Sequence, residues 1–141
     1  MKQIKSTISV VLAIICLFSL VACGNSVDKT GLWEKATYTK DTQLGEGTKT
    51  VTVQVKAEEQ IITFTVKTDK DTVGAALLEN NLIAGEQGDY GLYIKVVNGI
   101  TADYDKDKSY WAFYVDGEYA TSGVDTTKIT EGVTYQLAYT K

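Results

Sequence analysis

Between residues 48 and 56 the chain alternates without interruption, with Val51, Val53 and Val55 pointing one way and Thr50, Thr52 and Gln54 the other. A period of two over this length predicts a half-buried strand. Residues 61–67 repeat the pattern, with Ile62, Phe64 and Val66 on one face. Ala57-Glu58-Glu59-Gln60 between them suits a hairpin loop, so antiparallel pairing is expected. The period then changes. Val73, Ala76 and Leu77 share a helical stripe, with Asp71 placed as N-cap and Asn80-Asn81 as the stop. Residues 85–89 read as a loop, and 92–97 as a strand that Asn98-Gly99 turns back into 100–104. A charged loop, Asp105-Lys106-Asp107-Lys108, precedes an aromatic strand over 110–115. Trp111, Phe113 and Val115 share one of its faces, and Tyr110, Ala112 and Tyr114 the other. Asp116-Gly117 turns it into Glu118-Tyr119-Ala120, a loop covers 121–130, and a last strand runs from 133 to 140. Upstream, 32–39 reads as a first strand or extended arm and 43–47 as a break. Many strands with one helix predict an α+β domain whose antiparallel or mixed sheet is covered on one face. A helix directly after the second strand is the order of a β-grasp.

The first 22 residues follow a different pattern. Lys2 and Lys5 form a positive start, and 8–20 is an apolar run too short for a comfortable membrane span. Leu20-Val21-Ala22-Cys23 resembles the lipobox of bacterial lipoproteins. The resemblance implies that residues 1–22 are a cleaved signal peptide and that Cys23 is diacylated. It also implies that the mature chain hangs by lipid on the extracellular face of a bacterial cell membrane. The expected organisation is then 1–22 signal, 23–47 lipidated Cys23 with tether and arm, and 48–141 domain. Gly24 to about Gly31 is small and polar enough to read as a flexible tether.

Composition narrows the chemistry. Removing 22 of the 141 residues leaves 119, enough for one small domain. Lys2 and Lys5 leave with the signal, so 12 lysines face 18 acidic residues, a net charge of −6, and there is no arginine. Nucleic acid is not an expected partner, because phosphate contacts need concentrated positive charge. The chain has no histidine, and its two cysteines are Cys16, lost with the signal, and Cys23. Ser-His-Asp, Cys-His and zinc-hydrolase chemistries are therefore excluded. A non-enzymatic role follows as the expectation.

The remaining pieces occur in a familiar order. Asp71-Thr72-Val73-Gly74-Ala75-Ala76-Leu77-Leu78, Tyr90-Gly91-Leu92-Tyr93, Val97-Asn98-Gly99-Ile100, then 110–117, Ser122-Gly123-Val124 and 131–139 together resemble the transcobalamin-like C-terminal domain family. The resemblance spans about 48–141. It implies a β-grasp domain, of the kind that closes over the corrin ring in animal vitamin B12 carriers, without their helical barrel. It also implies that the aromatic strand and the 121–125 loop face a ligand, with cobalamin the named candidate.

The candidate ligand-binding residues are therefore Tyr110, Trp111, Tyr114, Tyr119, Thr121, Ser122 and Val124. Aromatic side chains offer large contact area with a polar handle, although Trp111 and Phe113 suit a hydrophobic core better, and Tyr110, Tyr114 and Tyr119 suit sheet surface equally well. Nine tyrosines in a chain this short favour binding. A second candidate is Asp103, Asp105 and Asp107, whose alternate spacing matches the first ligands of a calcium loop. Lys108 stands where such a loop needs glycine and Tyr114 where it needs glutamate, so a solvated charged loop competes with a calcium site completed by Asp89 or Asp116. The functional expectation is a lipid-anchored binding protein for a small molecule or glycan. An adhesion module docking an envelope protein and a calcium-binding module are the alternatives.

Overall fold

The structure, a computed structural model, describes residues 25–141. The segment expected to be a signal peptide, and Cys23, lie outside the described residues. Two sheets and a helix make up the domain. The larger sheet contains β1 (Thr42–Gly45), β2 (Lys49–Ala57), β3 (Gln60–Thr68), β7 (Tyr110–Val115), β8 (Glu118–Tyr119) and β9 (Thr134–Thr140). Their order across the sheet is β1-β3-β2-β9-β7-β8. The smaller sheet is β4 (Ile83–Gly88), β5 (Gly91–Val97) and β6 (Ile100–Thr101) in sequence order. Helix α1 (Val73–Glu79) follows β3, and a one-turn helix α2 (Tyr104–Asp107) follows β6. The domain is α+β, with a mixed sheet: β2 runs antiparallel to β3 but parallel to β9, and β1 parallel to β3.

The alternation of 48–56 and 61–67 becomes the burial pattern. Val51, Val53, Val55, Ile62, Phe64 and Val66 are all fully or almost fully buried, and the residues between them are half-buried. Tyr135 and Leu137 of β9 and Trp111 and Phe113 of β7 continue the same layer. Val73, Ala76 and Leu77 from α1 and Ile83, Ile94, Val97 and Ile100 from the smaller sheet close over it. Burying such side chains is worth about 1.5–3 kcal/mol each, which is what holds the two layers together.

Several local expectations are corrected. The β2–β3 turn is two residues, Glu58 and Glu59, both with positive φ (50° and 66°). That geometry normally selects Asn-Gly. The Glu58 carboxylate is used instead, because it accepts the Leu32 N–H. The helix N-cap is Thr72, not Asp71: its Oγ1 accepts from the Ala75 N–H at 3.2 Å. Asp71 pairs with Lys49 at 2.7 Å. The expected loop at 85–89 lies largely in β4, the expected break at 43–47 overlaps most of β1, and the return strand after Asn98-Gly99 is only two residues long, with α2 following it.

The largest correction concerns the tether. Residues 25–41 are docked on the domain. Asn25 and Asp41 exchange hydrogen bonds, Asn25 N–H to Asp41 Oδ2 at 3.1 Å and Asp41 N–H to the Asn25 carbonyl at 2.8 Å. Val27 donates to the Thr39 carbonyl at 2.7 Å, and Asp28 to Gln60 Oε1 at 3.0 Å. In place of a first strand, Gly31–Lys35 is a 3-10 turn that drives Trp33 into the core. Trp33 is fully buried, and its indole N–H donates to the Ala57 carbonyl at 2.9 Å. Asn98, buried at the β5–β6 turn, clasps the arm by accepting from Tyr38 N–H and donating to the Tyr38 carbonyl. The polar composition of the arm suggests freedom, but one buried tryptophan and a row of backbone hydrogen bonds outweigh it.

Candidate functional site

The two sheets separate at one edge and leave a groove of about 630 Å³ between β5, β7, β8 and residues 120–126. This volume falls within the range of small-molecule sites. From β7 come Tyr110, Trp111 and Phe113; from β8, Tyr119; from the β4–β5 turn and β5, Tyr90, Leu92, Tyr93 and Ile94. The remaining wall is Ala120, Thr121, Ser122, Gly123, Val124 and Thr126. Six aromatic rings and no charged side chain line it. The floor is packed against β9: Phe113 stacks on Tyr135 at 6.0 Å, and Trp111 meets Tyr139 edge-on at 5.6 Å. The rim is open. Tyr90 is fully exposed, Tyr119 is 64 % exposed and Tyr93 45 %.

The loop wall is held by the start of α1. Gly74 N–H donates to the Val124 carbonyl at 2.8 Å and Val73 N–H to the Thr127 carbonyl at 2.9 Å. Val124 is buried beneath the wall. Gly74 permits this approach, because a Cβ there would lie 2.9 Å from the Val124 and Asp125 backbone. Asp125 Oδ2 ties the wall to β5 by accepting from Leu92 N–H at 3.2 Å.

Among the described residues, two buried side-chain polar atoms lack a hydrogen-bond partner within the protein, Trp111 Nε1 and Asp125 Oδ1. Trp111 is only 7 % exposed and lines the groove. Leaving a buried donor unpaired costs about 1–3 kcal/mol.

Six of the seven residues singled out from sequence meet here: Tyr110, Trp111, Tyr119, Thr121, Ser122 and Val124. Tyr114 does not. It lies on the face of β7 opposite Trp111, lines a separate depression with Lys56 and Gln136, and meets Tyr119 edge-on at 5.6 Å. Tyr90, Leu92, Tyr93 and Ile94 were missed, since they belong to the other sheet.

The Asp103 and Asp107 carboxylates are engaged in their own turn, and Asp105 takes part through its backbone N–H. Asp103 caps α2, its Oδ1 accepting from Asp105 and Lys106 N–H at 3.1 and 3.3 Å. Asp107 Oδ1 accepts from both the N–H and the hydroxyl of the buried Ser109. Those hydrogen bonds hold the Asp107 carboxyl below its ordinary pKa, with a smaller contribution from Lys141. Among the described residues, no three acidic or thiol side chains converge in a way that could hold a metal ion.

The chain is thus a small α+β domain that opens an uncharged aromatic groove at the edge of its two sheets. Residues 70–141 match a family described as a domain of unknown function (DUF4430), and the chain belongs to that family. Among solved structures it is similar to a candidate metal binding protein from Ruminococcus gnavus ATCC 29149. The two are 32 % identical, with a TM-score of 0.62, over 67 % of this chain and 98 % of that one. It also shares its fold with haptocorrin, solved in complex with Cbi, at 19 % identity and a TM-score of 0.55. That match covers 65 % of this chain but only 25 % of haptocorrin. No curated protein matches the chain.

Proposed function

We propose that the protein is a non-catalytic binding lipoprotein, anchored through Cys23 on the extracellular face of a bacterial membrane. In this reading the groove holds a small molecule with a flat or ring-shaped apolar face. The observation that carries the reading is the groove itself, lined by six aromatic side chains and no charged one, with Trp111, whose buried N–H has no partner within the protein, among them. Stacking supplies contact area, and the indole N–H selects a ligand with an acceptor near the ring. A corrinoid such as cobalamin is the first candidate, supported by the fold shared with haptocorrin. Its broad face and amide-bearing rim offer both features. The β-grasp reading of the fold is supported by the central parallel β2–β9 pair, flanked by the β2–β3 hairpin with α1 following it.

The experiment uses residues 25–141 carrying Trp33→Phe, which leaves Trp111 as the sole tryptophan. Cyanocobalamin is titrated in and indole emission is followed, corrected for corrin absorbance. Saturable quenching, lost in Tyr119→Ala, is the expected result. Emission that stays unchanged to high micromolar ligand overturns the corrinoid assignment. Fractionation tests the anchor separately: Cys23→Ala should leave the membrane fraction while keeping its fold.

A further inference from the structure

The docked arm fixes how the domain sits on its membrane. This inference rests on the Cys23 anchor proposed above. Cys23 is two residues from Asn25, so their Cα atoms are separated by at most about 7.6 Å. Asn25 is not free to move away from the domain. It exchanges two hydrogen bonds with Asp41, and Asp41 Oδ1 accepts from Thr63 N–H of β3 at 2.8 Å. The adjoining Ser26 bridges Lys40, one residue before the pair that leads into β1. The point of attachment is therefore the β1 edge of the larger sheet.

The groove lies at the other edge. In the order β1-β3-β2-β9-β7-β8, β7 stands four strands from β1 and β8 five. At about 4.8 Å per strand these are separations of about 19 and 24 Å. An orientation with the groove pressed on the leaflet would lift Asn25 about 20 Å from it, well beyond the reach of two residues. We propose that the β1 edge and the docked arm form the membrane-facing surface, and that the lipid leaflet is their partner, with the groove turned outward. The exposed rings of Tyr90 and Tyr119 are then ligand contacts. They are not the interfacial aromatic anchors that membrane proteins place at headgroup depth.

The mature chain has no cysteine other than Cys23, so a single thiol can be introduced and labelled. Gln43→Cys on β1 and Glu118→Cys on β8 are both exposed positions. Each full-length, lipidated variant is placed in phosphatidylcholine vesicles containing an acceptor lipid dye, and energy transfer from the protein label is measured. The expected result is stronger transfer from position 43, corresponding to a height difference of about 24 Å. A Gly–Ser insertion of about 20 residues after residue 24, with a span of about 25 Å, should erase the difference. Equal or stronger transfer from position 118 in the uninserted protein, with normal co-flotation, overturns the orientation while leaving the anchor standing. Failure of the wild-type protein to float with vesicles overturns the anchor and the orientation together.

Discussion

Replacing Trp33 with alanine should destabilise the domain severely, although Trp33 lies outside residues 70–141, the region that matches the family. The side chain is fully buried among the core residues and its N–H is bonded to the Ala57 carbonyl. Truncating a buried Phe or Trp to Ala costs about 3–5 kcal/mol. A domain of this size has only about 5–15 kcal/mol in total. With a urea dependence of about 1.5 kcal/mol per molar, the midpoint should fall by about 2–3 M. Trp33→Phe retains most of the volume and removes the donor, and should cost about 1 kcal/mol. Urea unfolding of residues 25–141, followed by far-ultraviolet circular dichroism, measures both. A Trp33→Ala midpoint within about 0.3 M of wild type would refute the docked arm and restore the flexible tether. The orientation on the membrane would then lose its basis.

Gly74→Ala should lower stability by about 1–3 kcal/mol and weaken ligand binding, because its methyl meets the Val124–Asp125 backbone; unfolding and titration of the same variant check the two effects. Asp69, held below the ordinary value of 3.8 chiefly by the Thr48 N–H and hydroxyl, gives stability that is complete above that value and is lost as the pH falls through its lower folded value. Asp69→Asn should therefore flatten the acid side of the stability profile, measured by urea midpoints between about pH 5 and 2.5, and an unchanged slope would contradict the assignment. Calcium should leave the melting temperature where a chelator leaves it, because Asp103 and Asp107 are engaged with their own turn; a calcium-dependent rise would reinstate a metal site there.

How much of this was legible in the sequence depended on whether the decisive contacts were local. The alternation of Val51, Val53 and Val55 against Thr50, Thr52 and Gln54 was enough to place β2 and its buried face. The Asn98-Gly99 pair was enough to place a turn, since both residues take positive φ. β4 was not legible: Ile83–Gly88 buries only its first residue and exists because β5 supplies its backbone partners. β1 depends likewise on a parallel pairing with β3, 22 residues away, and four residues of Thr-Gln-Leu-Gly are too short to declare a period of their own. In the groove, the contributions of Trp111 and Tyr119 could be read from one hairpin. Strand parity sets Tyr114 apart from Trp111, but Tyr110 shares the parity of Tyr114 and still lines the groove, so parity alone could not sort the site. Tyr90 and Tyr93 were recognisable as exposed aromatics beside Gly91, but only the packing of β5 against β7 brings them to the site.

The central claim is that the aromatic groove is the ligand site. Its most direct test is backbone amide mapping of ¹⁵N-labelled residues 25–141 with cyanocobalamin. Saturating shift changes are expected at residues 90–94, 110–113 and 119–126, the groove walls, with the β1 edge unaffected. Absence of any change, or changes centred on Tyr114, Lys56 and Gln136 on the opposite face, would contradict the claim.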